Sequence, residues 1–416
     1  MIEKKRFLEA EVPHEDQRKI VLITGARQTG KTTLVKKKYP SLPYLNLDAL
    51  EYRQKIEEIS ATQWAKDLGV AIIDEAQKSP PVFEKIKYAY DNHSINFSVL
   101  LGSSQILLLK KIRESLAGRV SIFELFPLML AELCYSDTHS PQKPLLDILL
   151  ERQTSISDVL REIPSVLFDE SEFLKKKAQD YLLTYGGMPA LLHLPENERF
   201  QWLRDYELTY LERDLSDLAR LSDLQPFRTF QKLAALRTTG LLNYSELARD
   251  ASVSAETTKR YVEYLRLSYQ VELLQPFYRN LTSSVVKTPK LYWLDIGIWR
   301  CLSGFNGKMS GQLYENYIIS EIIKWIKTMR RPVDYYFYRT RHGLEIDCLL
   351  QHANKLIGLE IKSRQKIYPQ DANAMKEISK ILGDEWKGGI IVYNGDKIEK
   401  IADPDIWAIP GWRLLT

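Results

Sequence analysis

The string GARQTGKT, Gly25 to Thr32, sets two glycines, a lysine and a hydroxyl at the spacing G-x-x-x-x-G-K-[ST]. That spacing suits a loop that holds phosphate with its backbone. Gly25, Ala26, Arg27, Gln28, Thr29 and Gly30 form the turn, its N–H groups face an anion, and the following helix adds its positive end. Lys31 reaches the outer phosphates, and the Thr32 hydroxyl serves a magnesium ion, with Thr33 beside it in the first helical turn. The flanks agree: KIVLITG is an apolar, β-branched strand, and KTTLVKKKY is rich in helix formers.

Hydrolysis needs a carboxylate from a neighbouring strand. GVAIIDEAQ supplies it, because the apolar run Val70 to Ile73 ends in Asp74 and Glu75, where α/β sheets bind ligands. Asp74 is expected to hold the magnesium through water, and Glu75 to act as general base on the attacking water. The next apolar run, FSVLLGSSQ, ends in Ser103 and Ser104, whose hydroxyls can sense the terminal phosphate or cap the helix QILLLKK.

A second group of chemical residues lies near the C-terminus. In RTRHGLEIDCLLQHANKLIGLEIKS, Asp347 sits on one strand-like run, with Glu360 and Lys362 two apart on the next and so on one face. Two carboxylates at this D-x12-E-x-K spacing can hold magnesium at a scissile phosphate, while the lysine orients water and steadies the developing charge. Glu315 lies on the helix GQLYENYIISEIIKWI, on a face shared with Ile318, Ile319 and Ile322, where a carboxylate needs a ligand or an ion pair. A charged hairpin with an internal Lys–Glu pair is the plainer alternative.

The elements between these sites must position them. SDTHSPQKPLLDILLERQTSISD mixes turn residues with one short helical segment and reads as a surface insertion or connector between about Ser136 and Lys177. Helical periodicity returns in RFQWLRDYELTYLERDLSDLARL, where Trp202, Leu203, Tyr206, Tyr210 and Leu211 share a face. Further on, a short helix near Glu246 to Asp250, the ASVS turn and a longer helix from about Ala255 make a helix-turn-helix, with Ser254 as N-cap. Two strands follow, VELLQPFYRN and KTPKLYWLDIGI, so the unit is similar to a winged helix. In a DNA-binding version it offers Thr257, Lys259 and Arg260 on the recognition helix, with Arg279 and Lys287 on the wing. Asp295 and Gly297 receive only a turn and core role.

A chain of 416 residues predicts two to three domains. A net charge of +4 is too small for a general polycation, so any nucleic-acid surface must be local. Cys134, Cys301 and Cys348 have no metal-type spacing and fit a reducing, cytoplasmic setting without disulfides. The start lacks an apolar signal core and no apolar run is long enough to span a bilayer, which predicts no membrane insertion.

Taken in order, GARQTGKTTLV, IIDEAQKSP, LLGSS, LAGRVSIFELFPL and YGGMPALL resemble the prokaryotic AAA+ ATPases whose C-terminal half is catalogued as a domain of unknown function, and their archaeal-type relatives. The resemblance spans nearly the whole chain and implies ATP as the nucleotide, a helical lid, and Arg119 as an arginine finger on a neighbouring subunit's ATP. A structural ion pair is the other reading of Arg119. Leu101 departs from the threonine frequent before GSS, which bears on the serine sensor. The C-terminal residues are similar to the PD-(D/E)XK nuclease fold, with Ile346 in place of the name-giving proline.

The expected fold is therefore α/β: a P-loop AAA+ ATPase core over 1–135, a connector and helical lid over 136–225, a winged helix over 226–290 and a restriction-endonuclease-like domain over 291–416. The expected function is an ATP- and Mg2+-dependent ATPase acting as a homo-oligomer on DNA, branched or forked DNA first, with metal-dependent cleavage left open. The alternative is a nucleotide-operated switch that binds a protein partner and carries a relic nuclease domain.

Overall fold

The computed structural model describes residues 4–102, 116–134, 142–167, 170–219, 224–278, 288–340 and 343–416, side chains of 210–219 excepted. Ser103, Ser104, Arg279, Lys287 and the side chains of Tyr210 and Leu211 lie outside the described residues.

β1 (Lys19–Thr24) is buried from its second residue onward. It joins β2 (Tyr44–Asn46), β3 (Ile72–Asp74), β4 (Phe97–Gly102) and β5 (Val120–Glu124) in a parallel sheet of order β2-β3-β4-β1-β5. Alternation along β1 feeds two cores. Ile20 and Leu22 pack with Trp64, Phe83 and Ile86, whereas Val21 and Ile23 pack with Leu34, Val35 and Tyr39. A parallel strand covered on both faces needs this uninterrupted apolar run. The covers are α1 (Lys31–Lys38) on one face and α2 (Pro81–Asp91) on the other.

One part of the expected surface connector is instead a core element, while residues 151–154 at and beyond its end are exposed. α3 (Leu145–Glu151) buries Leu145, Leu146, Leu149 and Leu150, and its Asp147 accepts from Arg331 Nε at 2.9 Å and Trp325 Nε1 at 3.1 Å. PLLDILLE is apolar almost all round, as a buried helix must be, and its polar flanks obscured that pattern.

α4 (Glu170–Tyr185) and α5 (Glu196–Ala219) form the helical segment beyond the first sheet at the place expected for the lid, hereafter the lid, with Leu203 and Tyr206 buried. Between them the chain passes through a pinned glycine pair. The Leu128 N–H donates to the Gly187 carbonyl at 2.7 Å, and the Gly187 N–H donates to Asp295 Oδ2 at 2.7 Å. Gly186 has φ 76°, and a Cβ there would meet Asp295 Oδ1 at 2.3 Å, so no other residue fits.

The helix-turn-helix expectation holds at its local level. α6 (Tyr244–Asp250) and α7 (Ala255–Leu267) stand at the expected places, and Ser254 Oγ accepts from the Thr257 N–H at 3.0 Å. The strands that follow, β6 (Val271–Pro276) and β7 (Lys290–Trp293), pair antiparallel, but β6 also pairs in parallel with β8 (Asp334–Arg339). The strands read as a wing are thus one end of a larger sheet, and the expected boundary after residue 290 falls inside β7. A short apolar strand shows nothing of its second partner.

Asp295 caps α8 (Ile296–Ser303), and α9 (Gly311–Thr328) follows. Then come β9 (Glu345–His352), β10 (Lys355–Lys362), α10 (Asn373–Leu382), β11 (Trp386–Tyr393), β12 (Glu399–Ala402) and β13 (Ile406–Pro410). The mixed sheet runs β12-β13-β11-β10-β9-β8-β6-β7. α9 lays Ile318, Ile319 and Ile322 on the face with Leu359 and Val392, while Met375 and Ile378 of α10 cover the face with Leu349 and Ile391. One core runs without a break from Ala26 and Phe126 through the lid to Leu415. Among the described residues no helix is long and apolar enough to cross a membrane.

Candidate functional site

The carboxyl ends of β1 and β3 meet at the cradle. Gly25, with φ 152°, runs so close to the residue after β5 that a Cβ would stand 2.1 Å from the Leu125 carbonyl oxygen. Gln28 (φ 60°) and Gly30 (φ 94°) are left-handed, which curls the loop back onto the first turn of α1. Lys31 Nζ donates to the carbonyls of Gly25 at 2.9 Å and Ala26 at 2.8 Å, and Thr29 Oγ1 donates to Ala26 at 2.9 Å. Arg6 braces the loop from outside: it donates to the Thr29 carbonyl at 2.8 Å and the Phe126 carbonyl at 2.6 Å and pairs with buried Glu132 at 3.0 Å.

Opposite the cradle, Asp74 collects donors. Its Oδ2 accepts from the Thr32 hydroxyl at 2.8 Å and the Tyr44 hydroxyl at 2.6 Å, and its Oδ1 from the Glu75 N–H at 2.9 Å. Glu75 adopts φ 54°, turning its carboxyl toward the cavity, where Gln77 Nε2 donates to it. Burial raises the Glu75 carboxyl above the ordinary carboxylate range, against the pull of the Arg27 and Lys31 charges. Burial also raises the Tyr44 hydroxyl, and its bond to Asp74 adds to that.

Arg27, Gln28, Gly30, Lys31, Thr32, Thr33, Asp74 and Glu75 all line one open cavity of about 580 Å³, which Pro189, His193 and Tyr206 flank from the lid side. The Tyr206 hydroxyl donates to the Arg27 carbonyl at 3.2 Å, a direct contact between lid and cradle. A second cavity of about 170 Å³ opens on the far side of Gly30, between Arg6, Leu34, Leu128, Pro189 and Leu192.

Arg119 is elsewhere. Its guanidinium forks onto Asp91, with Nε to Oδ1 at 2.6 Å and Nη2 to Oδ2 at 2.9 Å, and it does not line the cavity of its own chain. On α7, Lys259 and Arg260 are exposed side by side and Thr257 is half-buried, with Arg260 donating to its hydroxyl at 3.3 Å.

The C-terminal residues stand on the expected elements: Glu315 on α9, Asp347 on β9, Glu360 and Lys362 on β10. Each is already engaged. Glu315 Oε1 accepts from the Tyr292 hydroxyl at 2.8 Å, Asp347 Oδ2 from the Ile361 N–H at 2.8 Å, and Glu360 Oε1 from Lys362 Nζ at 2.7 Å. Lys290 lies among them, 2.5 Å from Glu345 and 3.7 Å from Glu315. Burial and the Asp347 charge push Glu315 up to about 8 and Glu360 up to about 7, and burial raises Asp347 itself. Among the described residues no three His, Cys, Asp or Glu side chains are grouped to hold a metal ion. Of the expected magnesium ligands, Glu315, Asp347 and Glu360 each give one oxygen to a protein donor, and Glu360 Oε2 is buried without one.

Sequence reasoning missed Arg6, Tyr44, Lys290 and Tyr292. None sits in a motif; each reaches the candidate sites only through strand pairing or a long-range contact.

Residues 17–134 match the AAA domain family, 176–309 the domain of unknown function DUF8612, and 310–414 the domain of unknown function DUF4143. The first segment is an ATPase-like domain of the AAA class. The uncharacterized protein Rv2008c of Mycobacterium tuberculosis is 26% identical over 413 residues, covering 95% of this chain and 81% of the relative. The uncharacterized protein MJ1544 of Methanocaldococcus jannaschii is 24% identical over 422 residues, covering 95% and 88%. Among solved structures, the Walker-type ATPase PABY2304 of Pyrococcus abyssi aligns with TM-score 0.40 at 15% identity, covering 69% of this chain and 91% of that one. AMPPCP-bound DnaA from Aquifex aeolicus aligns with TM-score 0.22 at 14% identity, covering 61% and 84%.

Proposed function

We propose that the chain binds and hydrolyses ATP, and that the observation carrying this is the convergence of Lys31, Thr32, Asp74 and Glu75 on one cavity of about 580 Å³ under the lid. Loop N–H groups and Lys31 take the phosphates. The apolar second cavity beside Gly30, walled by Leu34, Leu128 and Leu192, suits the base. Thr32 Oγ1 and Asp74 Oδ2, 2.8 Å apart, are the hard oxygen donors that suit magnesium, which would neutralise phosphate charge. Glu75, raised by burial, takes the proton from water. Tyr206 reports the state of the cradle to the lid through the Arg27 carbonyl.

We place DNA as the object of this cycle, with Thr257, Lys259 and Arg260 on its backbone and branched or forked DNA as the first substrate to try, and Arg119 as the residue offered across an interface between copies. The second reading, a nucleotide-operated switch whose C-terminal half holds a protein partner, is favoured by one observation: Glu315, Asp347 and Glu360 each give one carboxylate oxygen to a protein donor.

Nucleotide binding and turnover, with and without single-stranded, duplex and branched DNA, test both readings. Lys31→Ala should lose binding or turnover, and Glu75→Gln should bind ATP but not hydrolyse it. Wild-type turnover in Glu75→Gln removes the base assignment, and turnover indifferent to every DNA favours the switch.

A further inference from the structure

Lys290 is an unusual tenant for the middle of a carboxylate group. It is 5% exposed, yet its ammonium needs an environment nearly as favourable as water to remain charged there. Three elements supply it: Glu345 from β9 at 2.5 Å, Glu315 from α9 at 3.7 Å, and the Phe337 ring of β8 at 5.5 Å. Asp347 also acts on Lys290 through its charge.

We infer that Lys290 is a resident cation which takes the place of a divalent metal ion among Glu315, Glu345 and Asp347, so that the C-terminal domain neither binds such an ion nor cuts DNA. A divalent ion needs carboxylate oxygens within about 2.0–2.6 Å of its centre. Reaching Glu315 here would place a second positive centre on a carboxylate that already faces the Lys290 ammonium. The ammonium is tethered to β7, so its presence beside this group does not depend on an ion concentration. The negative charge of Glu315 and Glu345 is balanced from within β7. This stands apart from the ATPase reading, since no residue of the cradle takes part.

Mn2+ binding to the full chain, followed by loss of the free-ion paramagnetic resonance signal without nucleotide, tests it. Asp74→Asn is the parent for every sample, which silences the cradle. The parent should take up no Mn2+. Lys290→Met, close in length and neutral, should gain Mn2+ binding, and adding Asp347→Asn should abolish the gain. Circular dichroism establishes that each variant is folded. Mn2+ uptake by the parent that disappears with Asp347→Asn overturns the inference, as does Mg2+- or Mn2+-dependent DNA cleavage by the wild type that disappears with Asp347→Asn. A folded Lys290→Met chain that still ignores Mn2+ overturns it too, because the carboxylates would then have no call for a cation. If Lys290→Met does not fold, the parent measurement decides alone.

Discussion

The Tyr269 hydroxyl shares a hydrogen bond with Thr24 Oγ1, joining the residue just beyond α7 to the last residue of β1 before the cradle. Both are buried, and they lie 245 positions apart in the chain. The Tyr269 ring also meets Phe126 edge-on at 5.7 Å, and the Phe126 carbonyl accepts from Arg6. The helix with the exposed Lys259–Arg260 pair is therefore fastened at its far end to the strand that launches the phosphate loop.

Tyr269→Phe removes one hydroxyl without opening a cavity, so the loss should be about 0.5–1.5 kcal/mol, the net value of one hydrogen bond. Urea unfolding measures it. Stimulation of ATP turnover by DNA should fall further than basal turnover. Stimulation that survives intact would show that this contact does not connect helix and cradle.

Gly25→Ala should destabilise by at least about 2 kcal/mol, because its methyl would stand 2.1 Å from the Leu125 carbonyl oxygen and the backbone must move. Gly304→Ala is the control, since its left-handed φ of 70° strains an alanine but no atom lies within 4 Å of its Cβ. Thermal melting of both separates crowding from backbone strain. Equal losses would refute the close approach of β1 to Leu125.

The pH dependence of stability follows from Glu315 and Glu360, whose folded values of about 8 and about 7 lie above the ordinary 4.5. The folded chain then holds more protons than the unfolded one between those values. Their contribution is full below about pH 4.5, wanes as pH rises, and is lost through pH 7 to 8. Glu315→Gln should flatten this alkaline decline in denaturant titrations. A slope unchanged in that variant would exclude Glu315 as its source.

Lys259→Glu with Arg260→Glu should weaken DNA binding and reduce the slope of log affinity against log salt by about 1–2, since two phosphate-neutralising charges are reversed. Fluorescence anisotropy at several salt concentrations reads both quantities. Unchanged affinity throughout would remove α7 as the DNA reader. Both side chains are exposed, so folding should be unaffected.

Local chemistry was legible in the sequence, and partnership was not. The cradle, Asp74 and Glu75 stand out because their roles need fixed residue types beside predictable strand ends. Ser254 could be read because an N-cap acts within three residues. Arg6 and Tyr44 could not, since the first is a lone arginine near the start and the second gains its role only when β2 pairs with β3. The C-terminal carboxylates were placed on the right elements, but Lys290 belonged to a strand read as a wing, and its ammonium changes what those carboxylates can hold. Polar flanks likewise hid the buried face of α3.

The pinned glycine pair imposes a schedule on synthesis. Gly187 takes its side-chain acceptor, Asp295, from 108 residues further along the chain. At about 5–20 residues per second the ribosome needs on the order of ten seconds to supply it. In that interval the Gly187 N–H lacks its native acceptor. The first sheet is thus complete in sequence well before the glycine pair beside it can receive this acceptor.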